Sequence, residues 1–207
     1  MPRVHTATRK RAVLKRPMTC RHCHEEIAVG QSYFTWQRRY GGPQYLHTTC
    51  RRPRPTELSD RKTAQIEEAV LDVEWPNATF DMPSDGSMPE AEAEGYIDSL
   101  RDALSPVADA ASEVGQEYES SADNMPESLQ YGSQAEAMRD VASRLEDWAS
   151  ELQSWEPGST EPDWPEREDE ESDEDFAGRV QDAWDSWADD ARSEAESALD
   201  DIPEYEG

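Results

Sequence analysis

The sequence predicts a mostly α protein that begins with a small zinc-bound β-hairpin module and continues as an acidic antiparallel helical hairpin. Three observations lead there. All three cysteines and three of the four histidines fall within residues 20–50. Charge divides sharply: 14 Lys and Arg face 4 Asp and Glu up to Lys62, and 6 face 43 from Thr63 onward, for a net charge of −27. In the acidic part, apolar residues recur at spacings of three and four, the rhythm of helices with one buried face.

Residues 1–19 contain no acid and carry Arg3, Arg9, Lys10, Arg11, Lys15 and Arg16, which reads as a basic arm. Its longest apolar run, Ala12-Val13-Leu14, is far short of a signal-peptide core, and no stretch approaches the ~20 apolar residues of a membrane span. An Arg-rich, acid-poor start also imitates an organelle transit peptide. Reduced cysteines and no export signal lead to the expectation of a cytoplasmic protein.

Residues 20–55 form the predicted metal module. Cys20 and Cys23 make a Cys-x-x-Cys pair and His47 and Cys50 a His-x-x-Cys pair, the four ligands of a closed tetrahedral Zn²⁺ site. A two-residue gap lets the backbone turn tightly enough to aim both donors at one ion. Thiolates disfavour hard cations such as Mg²⁺ and Ca²⁺. Two other readings stay open: His22 or His24 as ligand in place of His47, or Cys20 and Cys23 as a redox pair. Between the pairs, Tyr33-Phe34-Thr35-Trp36 and Tyr45-Leu46-His47 read as a hairpin turned at Gly41-Gly42, with Pro43 at a strand margin. Arg38, Arg39, Arg51, Arg52 and Arg54, interleaved with Trp36 and Tyr40, are the candidates for contacting nucleic-acid phosphates and stacking on bases. The same arginines could instead pair with acids of their own chain.

The order Cys20-x-x-Cys23, Ile27, Gly30, an aromatic hairpin and Tyr45-Leu46-His47-x-x-Cys50 resembles the zinc finger of the poly(ADP-ribose) polymerase type and the first half of a LIM domain. That resemblance implies a structural zinc. Pro2-Arg3-Val4-His5, Gly30-Gln31-Ser32-Tyr33-Phe34-Thr35-Trp36, Arg39-Tyr40-Gly41-Gly42 and Asn124-Met125-Pro126-Glu127-Ser128-Leu129-Gln130 are similar to uncharacterised small proteins of tailed phages and prophages. This second resemblance implies a phage protein acting in a host cytoplasm and assigns no biochemistry.

Arg51-Arg52-Pro53-Arg54-Pro55 must be extended, because proline disfavours helix at the residue before it. Residues 56–75 then read as a connecting segment with a helix from Asp60 to about Glu74, capped by Ser59, and 76–87 as a loop. Residues 88–156 are the acidic helical hairpin. Its first helix opens on the capping box Ser87-x-x-Glu90 and carries the coiled-coil-like seam Ile97, Leu100, Leu104, Val107, Ala111, Val114 and Tyr118, with Pro106 expected to kink or break it. Its second opens on Ser133-x-x-Glu136 and carries Met138, Val141, Leu145, Trp148, Leu152 and Trp155. Residues 157–175, rich in proline and then in acids, read as a disordered linker. A C-terminal helix over 176–202 presents Phe176, Val180, Trp184, Trp187, Ala191, Ala195 and Leu199, which would dock on the hairpin or on another protein.

No phosphate-binding glycine loop or nucleophile with a recognisable base is present, so the expectation is a protein that is not an enzyme. The sequence leads to a zinc-stabilised binding protein that contacts nucleic acid through its basic module. The competing reading is an adaptor that meets a protein partner through the acidic helices, and an acidic coat that shields the basic module or imitates nucleic acid is a further one. Nothing in the pattern sets an oligomeric state.

Overall fold

In a computed structural model, residues 4–9, 18–37, 42–59, 61–80, 90–169, 171–200 and 202–203 are described, with the side chains of 90 and 91 set aside. The chain divides into two compact units, 1–68 and 69–207. About half of it is helical, and a three-stranded antiparallel sheet precedes the helices. Among the described residues no helix is long and apolar enough to cross a membrane.

The first unit is built on β1 (His5–Thr8), β2 (Ser32–Gln37) and β3 (Pro43–His47), in the order β1-β2-β3. The hairpin expected from the aromatic run is β2 paired with β3, from Tyr33 opposite His47 to Gln37 opposite Pro43. Pro43 heads an edge strand, where its missing N–H leaves no ladder bond unmade. Residues 38–41, ahead of Gly42 in the turn expected at Gly41-Gly42, lie outside the described residues. The stretch read as a basic arm supplies β1, which pairs along the other side of β2 from His5 opposite Thr35 to Thr8 opposite Ser32. Met18, Cys20, Ile27, Trp36 and Leu46 are buried together, with Tyr33, Phe34, Tyr45 and Leu58 packed against them. Cys20, one of the four candidate metal ligands, therefore sits inside the hydrophobic core of its module.

Beyond the sheet, Arg54 is extended at ψ 159° and Pro55 opens a one-turn helix α1 (Pro55–Leu58). Proline is suited to that first position because its absent N–H would have no helical partner there. The next helix, α2 (Ala64–Leu71), begins later than Asp60, which itself lies outside the described residues. Ser59 accepts the N–H of Arg61 at 3.1 Å, so it caps a turn leading to the helix.

The second unit contains α3 (Glu90–Asp123), α4 (Ser133–Gln153) and α5 (Asp173–Ser197). Arg101 on α3 donates to the Trp155 carbonyl just beyond α4 at 2.8 Å, and Arg139 on α4 pairs with Asp123 at the end of α3 at 3.0 Å. A Cβ at Gly115 would come within 3.2 Å of the Ala142 carbonyl oxygen, which marks their close approach. All seven seam residues read on α3 are buried. The expected interruption at Pro106 does not break the helix, which runs through it. An interior proline costs ~3 kcal/mol or more. Leu104, Val107 and Ala108, all fully buried around it, offset that cost, since burying a single large aliphatic side chain contributes about 1.5–3 kcal/mol. Helix α4 starts at Ser133 with Gly132 as its cap and no side-chain cap bond, so the expected Ser133 capping box is not formed. Ser87 of the other expected box lies outside the described residues.

The segment expected to be a disordered linker is instead laid across α5. Trp187 donates to the Ser159 carbonyl at 2.9 Å, the Gly158 N–H meets Glu194 at 2.7 Å, and Trp164 stacks on Trp184 with ring centroids 6.3 Å apart. Pro157 and Pro162 are buried. Apolar residues at 157–164 are thus sufficient to pin a stretch whose composition is dominated by the acids that follow. Helix α5 is capped by Ser172, whose hydroxyl accepts the Asp175 N–H at 3.1 Å. It docks within its own chain: Trp184 and Trp187 pack around Tyr96, and Trp148 donates to the Ala198 carbonyl at 3.1 Å.

The second unit carries 6 Lys and Arg against 41 Asp and Glu. Such self-repulsion is screened as the Debye length shrinks from about 30 Å at 0.01 M salt to about 3 Å at 1 M. The thermal midpoint of helix unfolding, followed by circular dichroism, is expected to rise across that range. A flat or falling midpoint would mean that the acids are spaced widely enough not to oppose folding.

Candidate metal centre

Two turns carry the four donors. At the first, Cys20 to Cys23 is held by His24 N–H bonding to the Cys20 carbonyl at 3.0 Å, and the segment closes with the Thr19–Glu26 bridge and Ile27 N–H on the Met18 carbonyl at 2.7 Å. His24 ends this turn at φ 59°, a left-handed conformation that costs a non-glycine residue roughly 1–2 kcal/mol. At the second, the Cys50 N–H returns to the His47 carbonyl at 3.1 Å. The Arg21 N–H bonds to the Tyr45 carbonyl at 2.9 Å and so ties the first turn to β3.

This brings Cys20, Cys23, His47 and Cys50 into one cluster whose donor atoms all lie within 4.8 Å of one another, close enough to hold a metal ion. Cys20 Sγ is 3.9 Å from Cys50 Sγ, and His47 Nδ1 is 3.4 Å from Cys23 Sγ and 3.9 Å from Cys50 Sγ. For comparison, metal–sulfur bonds of about 2.3 Å and a metal–nitrogen bond of about 2.0 Å place the corners of a tetrahedron roughly 3.5–3.8 Å apart. The donor set fits a thiophilic ion, and the cluster forms with His47 and without His22 or His24.

The thiols differ in their electrostatics. Burial pushes the Cys20 thiol up, but the backbone N–H groups of Cys23, His47 and His22 outweigh it and hold Cys20 at about 6. The Cys50 thiol is pushed up to about 11, first by burial and then by its contacts with the sulfurs of Cys23 and Cys20. A bound cation would relieve this repulsion, since a coordinating thiol is deprotonated outright.

A carboxylate that the sequence did not single out braces the two turns. Glu57, only 8% exposed, accepts both ends of the Arg51 guanidinium at 2.8 and 3.0 Å, lies 3.6 Å from Arg21 Nε, and takes the Arg54 N–H at 2.8 Å. Arg21 lies within the first metal turn and Arg51 immediately follows the second. No spacing rule marks these pairs, so only the fold reveals them.

The candidate phosphate-contacting residues are placed unevenly. Arg51 is the Glu57 partner, and Arg54 pairs with Glu68 at 2.9 Å. Arg52 is exposed. Trp36 is 2% exposed and donates to the Glu57 carbonyl at 2.9 Å, so its ring belongs to the core and faces no solvent. Arg38, Arg39 and Tyr40 lie outside the described residues. Arg9, counted in the basic arm, is 6% exposed and bonds to Glu26 at 2.9 Å and to the Ile27 carbonyl. No protein-family model, characterised protein or solved structure matches the chain.

Burial raises the Glu57 carboxyl, yet the hydrogen bonds from Arg51 and Arg54 and the charges of Arg51 and Arg21 outweigh it and hold the group below its ordinary 4.5. A carboxyl that ionises more readily in the folded state stabilises fully above about 4.5 and loses that contribution as pH falls through its lower folded value. Glu57→Gln is therefore expected to destabilise the first unit by about 1.5–3 kcal/mol at neutral pH, the range for hydrogen bonds to a charged group, and to blunt its acid sensitivity. Denaturant titrations at neutral and acidic pH check this; an unchanged midpoint at neutral pH would make the ion pairs incidental.

Proposed function

We propose that this is a non-enzymatic binding protein whose N-terminal module is fixed by one structural Zn²⁺ and contacts nucleic-acid phosphates through its basic residues. The zinc reading is supported by three sulfurs and one imidazole at tetrahedral spacing, a donor set that suits Zn²⁺ and disfavours Mg²⁺ and Ca²⁺. Four protein ligands leave no position for a reactive water, so the ion holds structure and does no chemistry. As the family resemblance implies, we place it as a phage or prophage protein in the host cytoplasm.

The nucleic-acid reading is carried by one observation, the excess of 14 Lys and Arg over 4 Asp and Glu up to Lys62. Arg51 and Arg54 serve the module's own ion pairs, so phosphate contact falls to exposed Arg52 with Arg38 and Arg39, which lie in sequence between β2 and β3. The second reading, an adaptor binding a protein through the acidic helices, is favoured by Leu129 and Tyr131, 55% and 84% exposed at the connection of α3 and α4.

Fluorescence anisotropy of labelled DNA and RNA with the full chain separates the two. Three phosphate contacts predict a log–log salt slope of about −2.7, or about a 40-fold loss of affinity from 50 to 200 mM salt, and Arg52→Glu should shrink the slope by about 1. Absence of binding at about 50 mM salt would remove the nucleic-acid reading and leave the adaptor.

A further inference from the structure

We propose that Gln31 is a positioning residue of the metal centre: its side-chain carbonyl holds the Nε2–H of His47 and so presents the Nδ1 lone pair to the three sulfurs. The proposal rests on the metal reading above and adds a residue outside the ligand set.

His47 Nε2 lies 3.2 Å from Gln31 Oε1, on the side of the ring away from the cysteines, while Nδ1 faces Cys23 and Cys50. An amide can turn either its oxygen or its NH₂ to a neighbour, and here a second donor decides. The Ala28 backbone N–H points at the same Gln31 atom from 2.6 Å, which requires an oxygen there. An amide oxygen only accepts, so the proton of a neutral His47 must sit on Nε2. The remaining nitrogen, Nδ1, is then the one free to coordinate. A metal-bound histidine is commonly oriented in this way by an acceptor on its other ring nitrogen.

The local backbone is shaped to deliver that oxygen. Ala28 to Gln31 is a turn closed by Gln31 N–H on the Ala28 carbonyl at 3.1 Å, with Gly30 at φ +92° in the third position. A positive φ at that position is the mark of a type II turn and favours glycine. Arg9, just past β1, fastens the turn from outside: its N–H bonds to the Gln31 carbonyl at 3.0 Å and its carbonyl accepts the Gly30 N–H at 2.8 Å. His47 is 7% exposed, so water has little access to replace the amide, whereas Gln31 itself is an exposed residue whose substitution leaves the core untouched.

The test uses the full-length chain and its Gln31→Leu and Gln31→Glu variants, with zinc affinity measured by competition against a chromophoric chelator and the imidazole nitrogens assigned by ¹⁵N NMR. Gln31→Leu should weaken zinc binding by about 10–100-fold and relax the preference for Nδ1 coordination. Gln31→Glu keeps an acceptor and should retain wild-type affinity and the Nε2–H tautomer. Wild-type affinity with Nδ1 coordination in Gln31→Leu would overturn the role of Gln31 alone. Equal weakening by both variants would also overturn it, because it would mark the turn and not the acceptor. A wild-type chain that binds no zinc would overturn the metal reading, and this proposal with it.

Discussion

Cys20, Cys23 and Cys50 converge with His47 inside a module of fewer than 70 residues whose buried cluster, among the described residues, is five side chains. Burial and the neighbouring sulfurs of Cys23 and Cys20 push the Cys50 thiol up to about 11, and a cation lying among the three would favour its ionised form. The rest of the first unit follows from this constraint. The strands bring the two cysteine-bearing turns together, and Cys20 also serves as core. Glu57 then draws in the arginine beside each turn, so the ligands and the first helix are braced by the same carboxylate. A core this small rarely stabilises a fold alone, and a structural metal is one of the few devices that can make up the difference.

The second unit solves a different problem. Its helices bury long apolar stripes while their outward faces carry a large excess of acids over Lys and Arg, so cohesion comes from side chains such as Leu100, Leu145 and Trp184, and charge opposes it. The aromatic group of Phe80, Tyr96, Trp164, Trp184 and Trp187 gathers a loop, two helices and the strap that starts at Pro157 at one place. Arg179 reaches from α5 to Glu171 and the Glu166 carbonyl, closing the strap's acidic end and holding the Glu171 carboxyl below its ordinary value.

The clustering of Cys20, Cys23, His47 and Cys50 was legible because two-residue gaps between soft donors are what tetrahedral coordination would require. The seams of α3, α4 and α5 were legible because burial on one face imposes a period. What escaped was non-local. Strand β1 lies in a basic stretch and earns its place only by pairing with β2, more than 20 residues away. Glu57 draws partners from both turns, and the Gln31–His47 contact joins residues 16 apart; no repeat announces either. The strap at 157–164 was obscured because its acids dominate the composition while two prolines and Trp164 decide its placement. Among the proposed phosphate contacts, the burial of Trp36 and the pairing of Arg51 and Arg54 likewise depend on neighbours brought in by the fold.

X-ray absorption spectroscopy at the metal edge of the purified chain tests the central claim most directly. The account predicts one zinc with three sulfurs at about 2.3 Å and one nitrogen at about 2.0–2.1 Å. A protein without zinc, or a zinc shell made mainly of oxygen, would contradict it.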